Sequence, residues 1–352
     1  MAVVGARFLV PLLIPRFPLP AVIASLVLDA LDQTIFQWFG YDPPGYQGYD
    51  KAMDVYYLAI AYLATLRNWA SAGAFLVGRA LYFYRLVGVL LFELAHTRAL
   101  LLFFPNTFEY FFIAYELVRT RWDNRRLLIR DWIIVAAAIW IFVKIPQEYW
   151  IHIAHLDVTD TLADYPWAWP LLIGAILLAL GIFWFVIRPR LPQPDWPFRL
   201  AADAPPEAMD EETERVAWRQ EHGRLWSATT LEKVALVSLL SVIFAQTLPG
   251  VRSSNLELGI GTAILVVVNA AITLAMARRD ITIESVVASF GVRVVLNAGL
   301  VLLASLLLGA RDINEAAGLF FIVMLSLLTT LHDRWLPVHD IRTRESAPAT
   351  PN

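Results

Sequence analysis

Four ionisable residues sit where lipid would not tolerate them. Asp29, Arg85 and Glu109 each fall near the middle of an apolar run of about 20 residues, and Arg293 lies about one turn from the middle of another. At a bilayer centre each costs about 2.5–3.5 kcal/mol on insertion scales, so each needs a partner or water. Asp32 lies one turn from Asp29 on the same helical face, and Asn106 and Glu116 share a face with Glu109. This spacing predicts that Asp29, Arg85 and Glu109 meet in one bundle, with Arg293 docking a second bundle onto it. The candidate substrate- or ion-binding residues are therefore Asp29, Asp32, Arg85, Asn106, Glu109 and Arg293. Carboxylates in such a set can bind a cation or proton, while arginine tunes them or meets an anion. A buried ionic cluster that only fixes helix register is the competing reading.

Two further groups carry metal-type chemistry. Glu148, His152 and His155 fall on one helical face at i, i+4 and i+7, a donor set able to hold zinc or another divalent ion with an open position. The His-Glu-x-x-His order of zinc proteases is absent, so an amphipathic helix at the interface is the simpler reading. Asp42, Asp50 and Asp54 lie in or beside a Gly/Pro/Tyr-rich turn, where an enzyme using a lipid-phosphate donor would keep a carboxylate. No Asp-x-Asp occurs there, and a solvated outer turn explains the composition. No Walker loop, dinucleotide fingerprint or nucleophile elbow is present. The chain has no cysteine, which excludes disulfides, thiolate zinc, Cys-ligated iron–sulfur clusters and covalent c-type haem. No cofactor is expected; a divalent metal at the outer face is the one alternative to that.

The elements that must position these residues are membrane helices. Of 352 residues, 58% are hydrophobic and 17% charged, with mean hydropathy +0.57, whereas soluble domains are about 25% charged. Hydropathy predicts an all-α polytopic membrane protein with about ten spans: 19–38, 53–70, 74–94, 99–118, 132–151, 167–187, 231–248, 256–277, 286–308 and 314–334. Arginines concentrate in alternate loops, at 119–131, in the 188–230 linker and at Arg278 and Arg279. The intervening loops are acidic, at Asp42 and Asp50 and at Asp157, Asp160 and Asp164. The positive-inside rule then puts both termini in the cytoplasm. The Pro-rich stretch Met1–Pro20 reads as a short interfacial segment before an uncleaved first span.

The organisation expected is a six-helix transmembrane bundle over 1–187, a cytoplasmic Pro-rich and charged linker over 188–230 with a short helix within 206–226, a four-helix transmembrane bundle over 231–335 and a flexible cytoplasmic tail over 336–352. Small residues along 259–275 suit close helix contact, so 231–335 is the expected surface for a second copy or another membrane partner. A net charge of -3 without a basic aromatic stripe argues against nucleic acid. Only three of the 28 basic residues are lysine, a bias that suits a GC-rich bacterial genome and hence a bacterial plasma (inner) membrane. The function expected first is transport or permeation of a polar or ionic solute. The alternatives are a membrane-embedded enzyme acting on a lipid-linked substrate at the outer face, and a non-catalytic scaffold or assembly subunit.

Overall fold

A computed structural model describes residues 2–39, 46–97, 99–152, 161–162, 164–247, 255–308 and 315–346. Among these residues the chain is helical, without strands. The helices used below are α1 (Ala2–Leu9), α2 (Pro18–Trp38), α3 (Tyr46–Asn68), α4 (Ala72–Ala95), α5 (Ala99–Phe103), α6 (Thr107–Arg119), α7 (Ile129–Ile139), α8 (Ile145–His152), α9 (Ala168–Ile182), α10 (Glu212–His222), α11 (Ala228–Thr247), α12 (Asn255–Ala277), α13 (Val286–Leu308) and α14 (Glu315–Ser346). Five segments are long and apolar enough to cross a membrane: Ala72–Ala95, Ala168–Arg190, Ala228–Thr247, Glu257–Ala277 and Gly318–Glu345. They match five of the runs read from hydropathy.

Helix α3 is the central pillar. Ala59, Ile60, Tyr62, Leu63 and Ala64 are all fully buried, so the helix is covered on every side rather than along one stripe. α2, α4, α11 and α14 pack around it, and helices from both halves of the sequence share this one core. Tyr62 stacks on Tyr82 of α4 with ring centroids 4.4 Å apart. Helix α9 is the opposite case. Beyond Ala168 nearly all of its described apolar side chains are exposed, as on a helix meeting lipid.

Prolines set the irregularities. The predicted span 99–118 is not one helix. Pro105 has no N–H and disfavours helical geometry at Phe104, so α5 stops and α6 restarts after a tight turn at Asn106 (φ -75, ψ 66). That turn is closed by the Thr107 amide donating to the Pro105 carbonyl at 2.8 Å. The freed carbonyls of Phe103 and Phe104 accept from Tyr84 Oη (2.7 Å) and Arg85 Nη1 (2.9 Å). Between α7 and α8 the helix widens into a π turn over Trp140–Lys144, which ends two residues before Pro146.

The tail expected to be flexible from residue 336 is helical through Ser346. Pro337 lies inside α14, and Arg219 Nη2 takes the Asp333 carbonyl that Pro337 cannot serve, at 3.2 Å. Val338 and Arg342 are buried, the His339 ring lies 3.9 Å from that of Phe75, and Arg342 donates to the Ala204 carbonyl. The linker also packs. Its amides at Asp195, Arg199 and Ala202 donate to the carbonyls of Arg121, Thr120 and Arg16. The helix expected within 206–226 is α10, capped by Glu211 and Glu214.

Candidate functional site

The first half of the chain gathers its charges around a residue that carries no signal in the sequence. Arg7, on α1, is 4% exposed and lies among four aspartates. Its Nη1 donates to Asp32 of α2 and to Asp50 of α3 (2.7 Å); its Nη2 donates to Asp29 of α2 and to Asp54 of α3 (3.0 Å). A guanidinium has four terminal N–H protons, so each carboxylate receives one. The Tyr49 ring lies 5.6 Å from the guanidinium carbon, and Tyr56 Oη ties the Phe8 carbonyl to α3 at 2.9 Å. Asp29 with Asp32 and Asp50 with Asp54 follow the i, i+3 and i, i+4 spacings that put two side chains on one helical face.

The four acids differ in exposure. Asp32 is closed off, while the side chains of Asp29, Asp50 and Asp54 are 30%, 33% and 39% exposed. Asp29, Asp50 and Asp54 each bring a carboxylate oxygen within 4.8 Å of the others. Four carboxylates on one guanidinium leave a surplus of negative charge on this half-open rim. Asp50 lies ahead of the apolar stretch of α3. Three carboxylates are hard oxygen donors, which suit magnesium, calcium or manganese better than zinc.

A second polar layer lies deeper. Glu109 accepts from Tyr57 Oη and from Asn106 Nδ2 (2.8 Å), as the i, i+3 spacing of Asn106 and Glu109 predicts. Lys144 donates to Gln147 at 3.0 Å and sits 4.3 Å from the centre of the Tyr110 ring. Asp29, Lys144 and Glu148 are within electrostatic reach of Glu109, and Asp54 and Glu148 are within reach of Arg85. The expected triad of Asp29, Arg85 and Glu109 thus shares a region without forming direct pairs. Asp29 is held by Arg7, while Arg85 serves the broken helix.

Arg293 does not dock one half onto the other. It pairs with Asp333 of α14 at 2.6 Å and donates to Thr273 of α12 at 2.9 Å, while Lys233 of α11 takes the other Asp333 oxygen at 2.6 Å. Asp333 had looked like an end-of-span residue because the span was expected to stop at 334. The halves are joined instead by Glu232 of α11, which accepts from Tyr62 Oη and from Arg79 Nη1 (3.1 Å). Of the predicted metal set, Glu148 is buried on α8, His152 ends that helix and His155 lies outside the described residues, as does Asp42. No family model, curated protein or solved structure matches this chain.

Proposed function

We propose that this chain is a multi-pass membrane protein that admits a cation at the aspartate rim and passes it towards Glu109. In this reading α2, α3, the α5–α6 pair, the α7–α8 unit and α13 add five crossings to the five apolar helices, giving about ten. The observation that carries it is the half-exposed trio Asp29, Asp50 and Asp54, with more negative charge than Arg7 can balance. Such a rim replaces water oxygens with carboxylate oxygens, which compensates a cation for leaving water. The interrupted helix beside Glu109 fits, because broken backbone at membrane depth is tolerated where it is packed by protein or lines a cavity.

The test is flux into proteoliposomes holding the purified protein, with proton- and manganese-sensitive dyes inside. Wild type should move one of these ions, and Asp29→Asn and Glu109→Gln should each abolish the movement while keeping a monodisperse elution profile. Flux equal to empty liposomes, or flux unchanged in both variants, overturns the reading. The same three carboxylates favour a second reading, a divalent-metal enzyme acting on a lipid-linked phosphate. Manganese binding without flux, lost in Asp54→Asn, would select it.

A further inference from the structure

One charge cluster in the second half of the chain has the opposite imbalance, and it borders a cavity. Glu212 of the linker helix α10 accepts from Arg215 (3.2 Å), Arg219 (2.8 Å) and Arg334 (3.3 Å). Asp333 accepts from Lys233 and Arg293, with His332 Nδ1 3.8 Å away. Two carboxylates are therefore shared among five obligate cations in this described cluster, which leaves three positive charges in excess. A cavity of about 70 Å³ opens among α10, α12, α13 and α14, with Arg219, Arg293 and Arg334 in its wall beside Glu212 and Asp333, so one positive charge of the excess faces it. One water needs about 10–15 Å³ measured this way, so the space holds several waters or a small anion.

Two guanidinium groups remain incompletely used there. Arg293 is 8% exposed, and its buried Nη1 has no hydrogen-bond partner among the described residues. Arg219 Nε is likewise buried without an acceptor among the described residues. Leaving a charged donor buried and unmet is costly, and phosphate oxygens are the acceptors arginine forks fit best. Ile272, Met276, Ile283 and Val292 line the same cavity, an apolar wall beside the charged groups.

We propose that this cavity binds a phosphate-bearing anion, held by Arg293 and Arg219 with Arg334 at its side. The site is independent of the aspartate rim. Its source is either a free phosphate or the headgroup of an anionic lipid, since basic pockets between membrane helices take such headgroups. The phosphate would join α10 to the helices beneath it, replacing the missing negative charge.

The absence of native cysteine gives a direct test. Ser289→Cys puts the chain's single thiol on the cavity wall, and its maleimide labelling rate is measured in purified full-length protein. Inorganic phosphate is titrated in detergent against sodium chloride of matched ionic strength. In parallel, the rate is compared between nanodiscs of phosphatidylcholine alone and nanodiscs containing phosphatidylglycerol. Slowing by phosphate identifies a soluble anion, and slowing only in phosphatidylglycerol identifies a headgroup; either supports the site. Adding Arg293→Gln should raise the half-protecting concentration about tenfold or more, the worth of one charge-assisted hydrogen bond. If that variant does not elute as a folded species, Arg334→Gln takes its place, because Lys233 and Arg293 still hold Asp333 in it. Equal labelling rates in all conditions overturn the proposal, and so does protection that is unchanged in the arginine variant.

Discussion

Replacing Arg7 with glutamine should cost this protein a large part of its stability, and the cost should depend on pH. Arg7 is the one cation shared by Asp29, Asp32, Asp50 and Asp54. Its side chain is 3% exposed and that of Asp32 is 0%, so this pair is the expensive one to break. Removing one partner of a buried pair costs about 3–5 kcal/mol. The three half-exposed aspartates are screened by water and add at most about 1 kcal/mol each. Against a typical total of about 5–15 kcal/mol, the loss is easily measured. The assay is thermal unfolding in detergent, followed by the fluorescence of the 13 tryptophans. In Arg7→Gln the four carboxylates repel without a cation among them, and protonation relieves that repulsion. The deficit relative to wild type should therefore be full at about pH 7.5 and shrink towards about pH 4.5, near the ordinary carboxylate range. Arg7→Gln and Asp32→Asn combined should show coupling of about 0.5–3 kcal/mol, because Asp32→Asn removes one of the charges Arg7 serves. A loss under about 1 kcal/mol, or a loss equal at both pH values, would refute the idea that Arg7 holds the aspartates together.

Two other outcomes follow from particular contacts. A Cβ on Gly88 would lie 2.1 Å from Phe104 Cβ, so Gly88→Ala should push α4 off the helix break and cost about 1–3 kcal/mol, read in the same melt. Manganese binding at the aspartate rim, read by electron paramagnetic resonance, should weaken at least about tenfold in Asp50→Asn, which removes one of the three anionic oxygens that lie together there; binding unchanged in that variant would remove Asp50 from the ligand set.

How much of this was legible in the sequence depended on whether the deciding contact was local. Five membrane-length helices were readable, since length and apolar content are local properties. So was the pairing of Asn106 with Glu109, set by helical spacing alone. Arg7 was not, because an arginine in a Pro-rich stretch at the end of a span looks the same whether it reaches headgroups or four aspartates. Its partners lie 22 to 47 positions away, a separation that periodicity cannot bridge. Asp50 and Asp54 were noticed as acids of an outer turn, but their meeting with Asp29 required α3 to stand beside α2. Asp333 fell at a span end because the apolar run stops at 334, whereas the helix continues through Pro337 to Ser346.

The reason Pro337 does not stop that helix changes how the buried arginines should be read. An arginine inside an apolar run suggests a ligand site or an ion pair, yet Arg85 spends a proton on the Phe104 carbonyl beside Pro105, and Arg219 spends one on the Asp333 carbonyl that Pro337 leaves bare. In both places a proline removes a backbone donor or breaks the helix, and an arginine from a neighbouring element supplies the missing bond, in Arg219's case from 114 residues away. Among the described residues the carboxylates Asp29, Asp50, Asp54 and Glu109 bond side chains rather than backbone, which is why the functional reading rests on them. A double-mutant cycle separates the two roles for Arg219. Pro337→Ala restores an amide able to serve Asp333, so Arg219→Met should cost about 0.5–1.5 kcal/mol less in that background than in wild type, the worth of one hydrogen bond. Strictly additive costs would mean that the contact with the Asp333 carbonyl contributes nothing, leaving Glu212 and the cavity as the whole role of Arg219.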